Sequence, residues 1–137
     1  MALMRNSDMA QVQNKLALGQ DIIVQLLAQL TVDYQNTKSE RKEISQRYLG
    51  SEEDFSFLEE LELVTVSIRG YASQIEERAE VENREQAIAE LHQLRVFDRS
   101  AIAQFYNETR SGYLQMRAYI RMLDYLRLLV LEYLQMA

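Results

Sequence analysis

The last 40 residues of the chain carry its most regular hydrophobic pattern. Residues 98–137 read DRSAIAQFYNETRSGYLQMRAYIRMLDYLRLLVLEYLQMA. Alternating spacings of three and four residues place side chains on one face of an α-helix. The stripe with this spacing consists of Ile102, Phe105, Thr109, Gly112, Met116, Tyr119, Leu123, Leu126, Val130, Tyr133 and Ala137. The sequence therefore predicts a long C-terminal helix, about 98–136.

The end of this helix carries further apolar side chains outside the stripe. A helix that is apolar on most sides must be buried on most sides, and three helices of one chain leave part of such a surface uncovered. We therefore expect an interface here, either with a second copy of the chain or with another protein. Its predicted residues are Tyr125, Leu128, Leu129, Leu131 and Met136.

Capping signals divide the rest of the chain. Gly50 and Ser51 have the pattern of a helix end followed by an N-cap, and Asp98 caps the C-terminal helix. The chain has no proline and four glycines, which is typical of helices joined by short turns. These signals predict an all-α protein, an antiparallel bundle of three long helices at about 9–49, 52–95 and 98–136. The first and third helices would run parallel. A flexible lead, 1–8, would precede a single helical-bundle domain, 9–137.

Two stretches weaken this pattern. Residues 31–38 are poor in helix-forming residues, so the first helix has a predicted weak point or kink there. Residues 76–86 read EERAEVENREQ, and the apolar face shifts beyond them. A break near 80–85 would give a four-helix bundle. Because neither glycine nor proline marks a break, a continuous second helix is favoured.

Three polar residues fall on the apolar stripe of the first helix: Asp33, Thr37 and Glu40. There are two interpretations. Either these three residues form a buried polar layer that fixes helix register, or the helix rotates there and neighbouring residues such as Tyr34 and Arg41 turn inward. Both interpretations stay open from the sequence.

Gly19 and Gly112 also lie on apolar stripes. We expect them to permit a close approach of the first and third helices, and a cavity beside them would suit a small ligand.

The charge of the chain is unevenly distributed. The net charge is −6, and residues 51–97 hold 12 of the 21 acidic but only 4 of the 15 basic residues. An acidic protein repels nucleic acids and anionic membranes at long range. One row on the C-terminal helix nevertheless has the composition of a base-stacking, phosphate-binding face: Tyr106, Arg110, Tyr113, Arg117 and Arg121. The charge balance favours the alternative, in which this row covers the acidic second helix.

No motif for catalysis, cofactor binding or metal binding is recognisable. The chain has no cysteine and one histidine, His92, and position 89, three residues before it, is alanine. This excludes disulfides and the Glu-x-x-His pairs of di-iron bundles. Asp124, Arg127 and Glu132 interrupt the most apolar window, so no membrane span is predicted. The first ten residues lack the apolar segment of a signal peptide, and a cytoplasmic location is expected.

These observations predict a non-enzymatic protein–protein interaction module, such as an adaptor, assembly factor or chaperone-like protein. It would form a homo-oligomer, with a dimer the first expectation, through its C-terminal helix. The alternatives are a nucleic-acid-associated helical subunit that uses the Tyr/Arg row and a small-ligand-binding helical bundle.

Overall fold

The structure is a computed structural model that describes the backbone of residues 6–47, 52–78, 81–94 and 114–136. Side chains are described for residues 9–42, 58–78, 81–94 and 114–136. Every regular element within these ranges is an α-helix, so the predicted all-α bundle is confirmed. The helices are α1 (Asn6–Asn36), α2 (Lys38–Arg47), α3 (Glu52–Arg78), α4 (Arg84–Gln93) and α5 (Leu114–Met136).

The first predicted helix is divided at Thr37, within the weak stretch 31–38. The Thr37 hydroxyl donates a 2.6 Å hydrogen bond to the carbonyl oxygen of Tyr34. The Thr37 backbone N–H lies 3.2 Å from the carbonyl oxygen of Asp33 and 3.1 Å from that of Tyr34. A hydroxyl that bonds to a nearby carbonyl competes with regular helical bonding and bends the chain. The side chain of Thr37 thus accounts for the junction between α1 and α2.

The predicted continuous helix 52–95 is wrong, and the alternative break near 80–85 is confirmed. α3 ends at Arg78, and Asn83, just before α4, has the left-handed conformation φ 53°, ψ 51°. Asparagine tolerates this conformation better than most other residues that have a side chain. The hydroxyl of Tyr71, seven residues before the end of α3, donates a hydrogen bond to Glu90, six residues after the start of α4. The chain therefore reverses direction between α3 and α4, and α4 packs mainly on α5.

α5 runs antiparallel to α1, so the predicted parallel arrangement is wrong. Gly19, in the first half of α1, faces Tyr133 near the end of α5. Tyr34, near the end of α1, has its ring centroid 5.5 Å from that of Tyr119, near the start of α5. The turn before α4 adds a chain reversal that a three-helix arrangement lacks, and this explains the difference in direction.

α5 is the central helix of the described core. Nine of its residues are buried, more than in any other helix that the structure describes. They pack with buried residues of α1, α3 and α4, and with Val81 in the turn, in one cluster. The remaining buried apolar residues are Ile23, Leu27, Leu30, Leu61, Val64, Ile68, Ala72, Ile75, Val81, Ala87 and Leu91.

Side chains from neighbouring helices complete two helix ends. The last four carbonyl groups of an α-helix have no partner within the helix. Gln20 of α1 donates a 2.9 Å hydrogen bond to the carbonyl oxygen of Ile75 in α3. Arg127 of α5 donates a 3.0 Å hydrogen bond to the carbonyl oxygen of Leu91 in α4. Both bonds tie a helix terminus to the helix packed against it.

Candidate functional site

The predicted C-terminal interface residues divide between surface and core. Tyr125 is 52% exposed and Leu128 is 47% exposed. Leu129 and Met136 are half-buried. These four residues lie along one side of α5, at spacings of three, four and seven residues that keep them together on a helix.

Leu131, which the sequence placed in the interface, belongs to the core instead. It is buried and packs in the main hydrophobic cluster. Leu131 lies one turn beyond Arg127, whose guanidinium donates to the carbonyl of Leu91 in α4. α4 covers this side of α5, whereas the interface prediction for Leu131 was based on the three-helix arrangement, which has no separate α4.

α1 contributes apolar residues beside those of α5. Leu18 is 62% exposed and Ile22 is 42% exposed, although both are large aliphatic residues. They line a shallow groove of about 290 Å³ whose other wall is formed by Leu129 and Met136 of α5. We call the set of Leu18, Ile22, Tyr125, Leu128, Leu129 and Met136 the α1–α5 apolar surface.

Charged residues border this groove on both helices. Lys15 lies on the α1 side and Glu132 on the α5 side. Leu18 and Ile22 were not among the predicted interface residues. Their spacing of four residues places them next to each other on α1, but only the position of α5 shows which face of α1 stays uncovered.

Gly19 lies in the same groove, against the ring of Tyr133. A Cβ atom at position 19 would lie 3.4 Å from Cδ2 of Tyr133, at the short limit of ordinary van der Waals contact. The close approach predicted for Gly19 is therefore made with a tyrosine of α5. Gly112, its predicted counterpart, lies outside the described residues.

The opposite end of α1 carries a polar cluster around Thr37. Thr37 is fully buried, as the polar-layer interpretation expects. Arg41 donates a 2.9 Å hydrogen bond to the Thr37 hydroxyl and a 3.0 Å bond to the Tyr34 hydroxyl. Its guanidinium carbon lies 4.0 Å from the centroid of the Tyr34 ring, a cation–π contact. Both interpretations from the sequence thus apply in part, since Thr37 is buried while Tyr34 and Arg41 are half-buried beside it.

The ring of Tyr34 packs against the ring of Tyr119 in α5, and a hydrogen bond then connects Tyr119 to Thr65 in α3. The hydroxyls of Tyr119 and Thr65 are 2.7 Å apart, and Thr65 also donates to the carbonyl oxygen of Leu61 at 2.7 Å. Burial raises the pKa of Tyr119 to about 12, because the phenolate would lose its hydration. Tyr119 therefore stays neutral across the physiological pH range.

The other two residues of the predicted polar layer have separate partners. Glu40 accepts hydrogen bonds from the backbone N–H groups of Gln115 at 3.2 Å and Met116 at 2.8 Å. It thereby caps the first turn of α5, where a negative charge also interacts favourably with the helix dipole. Asp33 accepts a 3.0 Å bond from the Gln29 side chain of the same helix.

An open cleft of about 510 Å³ lies next to the polar cluster, between the α1–α2 junction and α3. We call it the α2–α3 cleft. Basic residues line one wall and glutamates the other, with apolar residues between them. The lining residues are Tyr34, Lys38, Arg41, Lys42, Leu58, Glu59, Leu61, Glu62 and Thr65. No local sequence pattern indicates this cleft, because its walls come from residues about 20 positions apart.

The structure describes only part of the Tyr/Arg row. Arg117 is half-buried and Arg121 is exposed. Tyr106, Arg110 and Tyr113 lie outside the described residues. The two described arginines lie on one side of α5, four residues apart.

Three further findings bear on function. Among the helices that the structure describes, none is both long enough and apolar enough to cross a membrane. Within the same ranges, no group of three or more histidines, aspartates and glutamates is placed to hold a metal ion. Comparisons of the chain with protein-family models, curated proteins and solved structures gave no match.

Proposed function

We propose that this chain is a non-enzymatic helical interaction module that self-associates through the α1–α5 apolar surface. The observation that carries the proposal is the joint exposure of Leu18 and Ile22 on α1 and of Tyr125 and Leu128 on α5. Apolar residues exposed singly are common on protein surfaces, but several exposed apolar residues on two helices that pack together are typical of an interaction site.

The charges bordering the groove favour a second copy as the partner. Lys15 of α1 and Glu132 of α5 carry opposite charges at the two sides of the groove. In a two-fold dimer the same patch faces itself, and when the two-fold axis runs along the helices, α1 of one copy meets α5 of the other. Lys15 of each copy then faces Glu132 of the other, and this pairing supports register and specificity more than affinity.

The apolar groups would supply most of the binding free energy. Removal of apolar surface from water contributes roughly 25 cal/mol per Å². Tyr125 is suited to a central position in the interface, because tyrosine offers a large, rigid contact area with a polar tip. Self-association through this surface leaves the α2–α3 cleft uncovered for a second interaction, as an adaptor or assembly factor requires.

The experiment is a comparison of solution masses for charge variants of exposed residues. Leu18→Glu and Leu128→Glu place a carboxylate in the proposed interface, and we expect each to convert the oligomer to monomer while helix content stays unchanged. Leu63→Glu and Val66→Glu are matched controls, because these α3 residues are 69% and 65% exposed and lie away from the surface. The proposal is refuted if the α3 variants dissociate the oligomer while Leu18→Glu and Leu128→Glu remain oligomeric.

A further inference from the structure

The α2–α3 cleft has the size and lining of a small-molecule site. Its volume of about 510 Å³ falls within the roughly 300–1,000 Å³ usual for ligand pockets. Such pockets are mostly apolar with a few polar groups that orient the ligand. We propose that this cleft binds a small amphipathic zwitterion, a molecule whose apolar body separates an anionic end from a cationic end.

The α2 wall provides the site for the anionic end. Lys38 and Lys42 are exposed, lie one helical turn apart, and both line the cleft. Arg41 adds a third positive charge beside them. Its guanidinium is held in place by hydrogen bonds to Tyr34 and Thr37, so its charge is fixed while the two lysines adapt to a ligand.

The α3 wall provides the site for the cationic end. Glu59 and Glu62 are exposed and lie three residues apart, on neighbouring turns of the helix. Within the described side chains, no salt bridge joins these glutamates to the lysines of α2. A ligand with both charges satisfies both walls at once, whereas a ligand with one charge meets repulsion from the wall of like charge.

The floor between the walls is apolar and held in position. Leu58, Leu61 and the Tyr34 ring offer surface for the body of the ligand. Thr65, also in the lining, is bonded to Tyr119 of α5 and to the carbonyl oxygen of Leu61. These bonds fix α3 against the core, so the floor is preformed, which lowers the entropic cost of binding.

The test is an NMR titration with three probes that share one apolar body. 8-Aminooctanoate carries both charges, octanoate carries only the anion, and octylammonium carries only the cation. We expect 8-aminooctanoate to shift the methyl signals of Leu58 and Leu61 and to bind about tenfold more tightly than either singly charged probe, since one additional charge-assisted contact is worth about a factor of ten.

Charge-neutralising variants locate the binding site. We expect each of two double variants to weaken 8-aminooctanoate binding about tenfold. They are Lys38→Gln/Lys42→Gln on the α2 wall and Glu59→Gln/Glu62→Gln on the α3 wall. Glu76→Gln with Glu77→Gln is the matched control on an exposed part of α3 outside the cleft, and it should bind like the unmodified chain.

Three results would overturn the proposal. The first is equal affinity for all three probes, and the second is a set of NMR signal shifts centred on Leu18 and Met136. The third is the absence of any NMR signal shift at millimolar probe concentration. Ile22 and Tyr34 are 12 residues apart on α1, about 18 Å at 1.5 Å per residue. The cleft is thus distinct from the α1–α5 apolar surface, and Leu128→Glu should leave probe binding unchanged even where it abolishes self-association.

Discussion

Glu40 accepts a 2.8 Å hydrogen bond from the backbone N–H of Met116, so a carboxylate on α2 caps the first turn of α5. The residues are 76 positions apart in the chain. The contact joins the short helix α2 to the helix at the centre of the core. It also explains why an acidic residue stands on the apolar stripe of the first predicted helix.

Removal of this cap should destabilise the fold. We predict that Glu40→Ala lowers the free energy of unfolding by about 1 kcal/mol, the usual cost of a lost helix cap. Glu40→Gln should cost less, because it keeps an acceptor oxygen but loses the charge that favours the helix N-terminus. Urea unfolding followed by circular dichroism measures both, with exposed Glu76→Ala as the control. If Glu40→Ala lowers the free energy of unfolding no more than Glu76→Ala does, Glu40 does not stabilise the fold as a cap.

The hydrogen bond between Tyr119 and Thr65 should contribute measurably to stability. Tyr119→Phe removes the phenolic hydroxyl and leaves the ring in the core, so we expect a loss of about 1 kcal/mol. Tyr125→Phe is the matched control, since Tyr125 is exposed, and it should change stability by less than about 0.5 kcal/mol. Equal unfolding midpoints for the two variants would show that the buried bond has no net effect.

Alkaline pH should destabilise the protein through two tyrosines. Burial, together with the hydrogen bond to Glu90, raises the pKa of Tyr71 to about 12, and burial raises that of Tyr119 to about 12. Above pH 10 the unfolded chain loses these protons while the folded protein keeps them, so the free energy of unfolding falls between about pH 10 and 12. Below pH 10 this contribution is fully present.

The double variant Tyr71→Phe/Tyr119→Phe isolates that effect. Urea midpoints measured from pH 8 to 11.5 should fall less steeply for this variant than for the unmodified chain, because the two shifted groups are absent. The control Tyr125→Phe should keep the original slope. Identical slopes for all three proteins would rule out a contribution from Tyr71 and Tyr119.

Gly19 and Gly70 should respond differently to alanine. A Cβ atom at Gly70 meets no atom within 4 Å among the described residues, so Gly70→Ala should stabilise the helix by roughly 0.5–1 kcal/mol. At Gly19 the Cβ would lie 3.4 Å from Cδ2 of Tyr133, so it would have no spare room beside the ring. We expect Gly19→Ala to be less stable than Gly70→Ala by about 0.5 kcal/mol or more. Thermal unfolding of both variants measures the difference, and equal stabilisation would disprove the close approach.

The periodicity of the sequence was sufficient to predict the all-α fold, but not the separation of α3 from α4 or the direction of α5. The stripe through Tyr119 and Tyr133 correctly predicted the buried face of α5, because burial of a helix follows its apolar period. The turn at Asn83 carries neither glycine nor proline. The shift of the apolar face beyond residue 86 is the signal in the sequence that marks this break.

The α1–α5 apolar surface could be predicted in part from the apolar period of α5. Tyr125 and Leu128 lie opposite the apolar stripe of α5, so the sequence alone indicates that three helices leave them uncovered. Leu131 is buried because of α4, and α4 follows from the turn at Asn83. The contribution of Leu18 depends on which face of α1 meets α5, a tertiary relationship that no local pattern contains.

The mass of the unmodified chain in solution tests the central claim most directly. Sedimentation equilibrium over a hundredfold range of concentration should give twice the chain mass at the upper end and a reversible approach to the monomer mass on dilution. This is the behaviour of a dimer formed through the α1–α5 apolar surface. A single monomer mass at every concentration, with Tyr125 and Leu128 still exposed, would contradict self-association through this surface.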